Sequence, residues 1–175
     1  MKLPVSEYDL EHRVTYRLAL LSARNTRSVL DLYRKHGLTV AAWRALSLIG
    51  HHEPIHPSNI SERSSVDPDK VTRAVDALVT RGYVARDGDR QDRRRVVLTL
   101  TPRGRKVYAE IEGVRRRIEE RFLGVLSAPE KRQFLMLLGK LEAQGRKLFT
   151  GKDAWKAIVG DGADAGPAAP ARRPR

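Results

Sequence analysis

The hydrophobic period of this chain changes within one stretch, residues 66–104 (VDPDKVTRAVDALVTRGYVARDGDRQDRRRVVLTLTPRG), and that change limits the fold more than any other feature. Its first part predicts an amphipathic helix with a marked start. Asp67 stands as an N-cap, Pro68 takes the first helical position where its missing N–H is not needed, and Asp69 adds negative charge in the first turn. Val71, Ala74, Val75 and Leu78 recur at i, i+3, i+4 and i+7, which leaves Lys70, Thr72, Arg73 and Asp76 on the other side. Gly82, after Arg81, is a C′ stop. Past it the residues become β-rich, in 83–86 and again in 96–100, with Asp87-Gly88-Asp89 as turn chemistry between them.

The loop 90–95 (RQDRRR) makes the tip of that hairpin strongly cationic. From Arg81 to Lys106 there are nine Lys or Arg against three Asp, a surplus of six within a chain of net charge +13. A basic run by itself is commonly a solvated face. A capped helix followed at fixed distance by a cationic hairpin is instead the outline of a winged helix-turn-helix. Its helix enters a major groove, and its hairpin tip reaches the neighbouring minor groove.

Composition agrees with a polyanionic partner, whether DNA, RNA or an anionic surface. The chain has 175 residues and no cysteine, so it can bury a core without disulfides, thiolate metal sites or thiol redox sensing. No apolar run is long enough to span a bilayer, and the acid-bearing N-terminal stretch lacks a signal-peptide core. A cytoplasmic protein with no membrane partner is expected.

Around this unit the sequence predicts further helices. Residues 8–36 read as one long helix with apolar positions at Leu10, Val14, Leu18, Leu21, Val29 and Leu32, ended by Gly37. Thr39 caps a second helix that runs to Gly50, and PSNISERS (57–64) makes a short third one. Thr101-Pro102 opens a long helix with a near-heptad seam (Val107, Ile111, Val114, Ile118, Phe122, Val125). Ser127 and Glu130 form a capping box for the last helix, whose apolar face is Phe134, Leu137, Leu138, Leu141 and Leu148. The fold class is therefore mainly α with a small β-hairpin wing. The expected domains are an N-terminal dimerisation helix (1–37), the winged unit (38–104), C-terminal dimerisation helices (105–150) and a tail in which order fades (151–175). A two-fold dimer suits a palindromic duplex, because it presents paired helices about one DNA turn apart.

At this level of detail the chain resembles the multiple-antibiotic-resistance regulator (MarR) family of winged-helix repressors, over roughly residues 8–149. The matching pieces are Leu38-Thr39 with Trp43-Arg44-Ala45-Leu46, Val71-Thr72-Arg73-Ala74-Val75-Asp76 with Leu78, and Arg81-Gly82-Tyr83-Val84. The most specific is Asp92-Arg93-Arg94 leading to Leu98-Thr99-Leu100-Thr101 and Gly104. The resemblance implies a homodimer on a pseudo-palindromic operator, released by a small ligand. It implies that Asp92 orients and Arg94 enters the minor groove, whose enhanced negative potential in narrow A·T tracts attracts arginine. Arg93 and Arg95 are then assigned to phosphates, Lys70, Thr72 and Arg73 to the major groove and its backbone, and Ser58 and Asn59 to backbone anchoring. Ser61 occupies a position where the family usually has a small residue, and Pro68 replaces a more common polar one.

The family often binds aromatic carboxylates or their thioesters, acyl-CoA compounds among them. Tyr16, Tyr33 and Trp43 are candidate walls, and Arg17, Arg24 or Arg44 could pair a carboxylate. Equally, Trp43 could be core and the arginines could form interhelical ion pairs. The effector's identity stays open, and no cofactor is implied. His51, His52, Glu53 and His56 are the one metal-like cluster, but their spacing is not His-Glu-x-x-His and surface imidazoles are the simpler reading. No nucleophile elbow, phosphate loop or paired carboxylate marks an enzyme. The competing reading is a ligand-independent architectural, nucleoid-type DNA binder driven by charge alone.

Overall fold

A computed structural model describes residues 9–64, 66–88, 95–149 and 151, and Gly151 is the only described residue of the expected tail. The chain divides into two compact units, 1–120 and 121–175. After a 3-10 turn at Leu10–His12, the first unit holds α1 (Val14–Ser28), α2 (Leu30–Lys35), α3 (Val40–His52), α4 (Pro57–Ser64), α5 (Pro68–Thr80), β1 (Val84–Gly88) and β2 (Val96–Leu100). It also holds nearly all of α6 (Pro102–Phe122). In the second unit, a 3-10 turn at Leu123–Val125 leads to α7 (Ala128–Leu148).

The expected single helix over 8–36 is broken. Its last turn before Val29 is Asn25-Thr26-Arg27-Ser28, residues that compete with the helix for backbone partners. Ser28 Oγ donates to the Asn25 carbonyl at 2.7 Å, and the Val29 N–H bonds three residues back, to Thr26. Val29 leaves helical geometry (φ −117°, ψ 3°), and α2 starts again beyond it. The long seam of α6 is likewise shorter than expected: Phe122 ends the helix and Val125 stands in the 3-10 turn.

The predicted starts hold. Asp67 accepts from the N–H groups of Asp69 and Lys70, Thr39 from Ala42, and Ser127 with Glu130 makes the full capping box. Two helix ends share one design. Gly37 (φ 66°) and Gly82 (φ 67°) take the left-handed conformation that closes α2 and α5. In each, the glycine N–H bonds to the C2 carbonyl and the next N–H to the C3 carbonyl (Leu38 to Tyr33, Tyr83 to Leu78), with both apolar partners buried. The Tyr83 hydroxyl donates to the His36 carbonyl at 3.2 Å, which fastens one helix end to the other.

Among the described residues, the buried apolar ones all lie from Val29 to Ile111. Val71, Ala74, Val75 and Leu78 of α5 are all buried, as their spacing predicts. The hairpin pairs antiparallel from Val84↔Leu100 to Gly88↔Val96. Asp87 and Gly88, expected in the turn, therefore belong to β1. The ladder extends that far because Asp87 and Gly88 find partners in Val97 and Val96, and the Thr99 hydroxyl points its hydrogen bond at the Asp87 carboxylate.

Glu110 of α6 accepts from Lys35 Nζ at 2.7 Å and lies 3.2 Å from His36 Nε2. These neighbours, Lys35 first, hold its carboxyl below the ordinary carboxylate range. A carboxyl depressed in the folded state adds stability above its unfolded pKa and loses it as pH falls through the folded one. Glu110→Gln should therefore lower the urea midpoint modestly at about pH 7, and the gap from the parent should close on titration toward about pH 3. A gap that persists in acid would exclude an ionic origin.

Candidate nucleic-acid interface

The helix-turn-helix is fixed by its serines. Ser61 Oγ donates to the Val66 carbonyl at 2.7 Å, Ser64 Oγ donates to Ile60, and the Val66 N–H donates to Ser64 Oγ. With the turn held, α5 buries its apolar stripe and presents Lys70, Thr72 and Arg73 to solvent. The Thr72 hydroxyl is engaged on its own helix, donating to the Pro68 carbonyl at 3.0 Å. Ser58, exposed, and Asn59, half-buried, stand in the first turn of α4. Ser58 and Thr72 line a common groove of about 310 Å³ between the two helices. Of the two exposed carboxylates of α5, Asp69 in the first turn and Asp76, the second is paired with Arg86 of β1 at 2.5 Å. That pair neutralises a charge that would repel phosphate and ties the helix to the wing.

The wing's base is anchored on its other edge. Ile55 and Leu98 exchange both backbone hydrogen bonds, at 3.2 and 2.9 Å. Glu53 accepts the Leu100 N–H at 2.6 Å and pairs with Arg105 of α6, while His56 Nδ1 lies 2.9 Å from the Val96 carbonyl oxygen. Glu53 and His56, two members of the metal-like cluster in the sequence, thus hold the wing. His51 contacts the Ser47 carbonyl and the Tyr108 hydroxyl. Arg95, assigned to phosphate, is exposed immediately before β2, whereas Asp92 and Arg94, assigned to the minor groove, and Arg93, assigned to phosphate, lie outside the described residues.

A second feature of the first unit is a cavity of about 350 Å³ walled by α1, α2, α3, α4 and α6. Tyr33, Trp43 and Arg44, three of the six residues the sequence offers for a ligand site, all line it. Trp43 is also core, because its ring is stacked between Tyr33 (centroids 5.6 Å apart) and Tyr108 (6.2 Å). Burial pushes the Tyr33 hydroxyl above its ordinary pKa, against the opposing pull of Arg115, whose guanidinium donates to it at 2.8 Å. Tyr16, Arg17 and Arg24 do not line this cavity. α1 turns Ser22, Asn25 and Thr26 toward it, and at about 100° per residue Arg24 lies about 200° round from Ser22, with Arg17 and Tyr16 also well off that face. Sequence reasoning missed Arg63 and Arg115, both of which line it.

A short helix, a fixed turn, a capped helix with cations outward and a basic hairpin pinned beside it define a winged helix-turn-helix DNA-binding protein. Residues 36–95 match the family model described as "MarR family". The chain is 32% identical over 113 residues to the HTH-type transcriptional repressor MdtR of Bacillus subtilis, covering 65% of this chain and 73% of the repressor. The chain belongs to the MarR family, and it is a DNA-binding transcriptional regulator. Its fold is similar to the MarR-family regulator of Silicibacter pomeroyi (TM-score 0.71, 26% identity, 81% of this chain and 96% of that one). It is also similar to CouR of Rhodococcus jostii bound to p-coumaroyl-CoA (TM-score 0.69, 21% identity, 77% and 94%). No helix among the described residues is long and apolar enough to cross a membrane.

Proposed function

We propose that the protein is a homodimeric repressor that holds a pseudo-palindromic operator and releases it when an aromatic acid, free or as a thioester, enters the cavity beside Trp43. The observation that carries the DNA half of this reading is the two-sidedness of α5. Its apolar stripe is buried to the last residue while Lys70, Thr72 and Arg73 are exposed on the other side, with Asp76 neutralised by Arg86. Ser58 and Asn59 are the backbone anchors, and the wing residues Asp92 to Arg95 supply the minor-groove and phosphate contacts.

Dimerisation is supported by apolar faces that neither unit covers for itself. Leu10, Val14, Leu18 and Leu21 are exposed at helical spacing at the start of the first unit. In the second unit, Phe134, Leu135, Met136, Leu137 and Leu141 are between 41 and 58% exposed along α7. Residues 1–37 and 105–150 are accordingly the dimerisation segments of this reading. The ligand half rests on the aromatic wall, which Arg44 lines as well, and on the likeness to CouR, whose structure holds p-coumaroyl-CoA.

A fluorescence-anisotropy titration of the chain's own upstream duplex against random competitor tests the whole reading. Retention about 10³-fold over random DNA is expected, at a stoichiometry of two chains per site, with release by at least one aromatic acid or its CoA thioester. Equal loss to random competitor with a steep salt slope would replace the repressor by a charge-driven architectural binder. Specific binding that no such compound relieves would remove the ligand half alone.

A further inference from the structure

We infer that the cavity takes an aromatic ligand carrying two separate anionic groups, and that Arg63 on α4 is the side chain through which the second anion acts on the DNA-reading helices. This rests on the ligand-responsive reading above and specifies the charge and the readout of its site.

Three guanidinium groups line the one cavity: Arg44 from α3, Arg63 from the last turn of α4 and Arg115 from α6. None of its wall residues is a carboxylate. Arginine keeps its proton, so solvent and salt ions screen this wall until an anionic ligand takes their place. Among the described residues, none of the three forms an ion pair with a carboxylate. Glu112 is near enough to be felt at Tyr33 but does not line the cavity.

The three cations are not equivalent. Arg115 is already aimed, because one of its donors holds the Tyr33 hydroxyl at 2.8 Å beside the stacked Tyr33 and Trp43 rings. An aromatic acid lying along that wall would meet Arg115 and Arg44 with a single carboxylate. Arg63 enters from a different helix, with Ser64 beside it, and no group of the described residues binds its fork. A second anion is what that fork is shaped to take, since guanidinium and carboxylate match in bidentate geometry.

The placement of Arg63 gives the second anion a consequence. Its helix is the first of the helix-turn-helix, and the Ser61 and Ser64 hydrogen bonds that fix the turn into α5 lie within three residues of it. A ligand that bridges Arg115 on α6 to Arg63 on α4 binds one position of α4 better than others. That differential affinity is what shifts an equilibrium between operator-holding and released states.

The test is calorimetry of the full chain with benzoate and with isophthalate at matched ionic strength, on the parent and on Arg63→Gln. Operator release by each compound is read for each protein relative to its own unliganded affinity. Isophthalate should bind the parent about tenfold or more tighter than benzoate, the gain expected of one further charge-assisted bidentate contact. Arg63→Gln should erase that preference while leaving benzoate affinity in place, and isophthalate at saturation should no longer release the operator. Equal affinities in the parent would overturn the two-anion ligand and leave the aromatic-acid site standing. A preference that survives Arg63→Gln would overturn the role of Arg63. Failure of both compounds to bind or to release would overturn this inference together with the reading it rests on.

Discussion

Gly104→Ala is expected to cost about 3 kcal/mol or more and to lower the melting temperature by about 6–12 °C, one of the largest effects any single methyl group could have in this chain. Gly104 stands in the first turn of α6, buried against Tyr83 in the link between α5 and β1. A Cβ built there would lie 1.9 Å from the Tyr83 carbonyl oxygen and 2.8 Å from its carbon. The obstacle is backbone, so no rotamer change relieves it. Nor can Tyr83 retreat: its carbonyl accepts the Thr101 N–H at 3.0 Å, its hydroxyl holds the His36 carbonyl, and its ring is buried beneath Arg103. Thr101 adds to the weld by accepting the Gly104 N–H and donating to the Gly82 carbonyl at 2.6 Å. Alanine's better helix propensity, about 1 kcal/mol, works the other way and is outweighed. Gly113→Ala is the matched control, since its Cβ would meet nothing within 4 Å in the same helix. It should stabilise by up to about 1 kcal/mol. Thermal melts of the two variants decide the matter: a Gly104→Ala protein melting with the parent would mean that α6 can lift from Tyr83 without loss.

That glycine also shows what kind of information the sequence carries openly. Its presence is visible as part of a family pattern, but its reason is a contact with a residue on another element, which no local period reports. Features whose physics is local were legible. The Asp67 and Thr39 caps, the Ser127 capping box, the stop at Gly82 and the inward set Val71, Ala74, Val75 and Leu78 all depend on residues within two turns of one another. The break at Val29 was legible in principle, since Asn25, Thr26 and Ser28 are poor helix interiors, but the apolar period continues across it and masked the fault. The ladder through Asp87 and Gly88 was misread because turn chemistry and strand pairing compete there and the partner strand decides.

The cavity was half legible for the same reason. Trp43, Tyr33 and Arg44 stand out by type, whereas Tyr16, Arg17 and Arg24 were chosen without knowing the rotation of α1 about its axis. Arg115 left a usable trace: it falls at i+4 from Ile111 and i+8 from Val107, so a cation sits on the inward stripe of α6. A charge on such a stripe asks for a partner, and here it finds the Tyr33 hydroxyl and the cavity. Arg63 left no trace, because nothing in PSNISERS tells which way the last turn of α4 points.

Arg94→Ala is expected to weaken binding to the specific operator about 10–100-fold without changing the melting temperature, which corresponds to about 1–3 kcal/mol of lost readout. Its stability should be untouched because the hairpin's buried contacts come from Val84, Leu98 and Leu100 at the base, held there by Ile55 and Glu53. The affinity loss should depend on the duplex. Arginine is drawn to a narrow A·T minor groove by its enhanced potential, so replacing A·T pairs by G·C beneath the wing should weaken the parent and leave Arg94→Ala nearly indifferent. Arg94→Lys should rescue only in part, because the more strongly hydrated ammonium enters a narrow groove less readily. Arg95→Ala, a phosphate contact on this reading, should instead weaken every duplex alike and reduce the salt slope by about one. Anisotropy titrations of the three variants on A·T and G·C flanked operators separate the two roles. Parent-like affinity of Arg94→Ala on both duplexes would mean that the wing does not enter the groove and that α5 carries recognition alone.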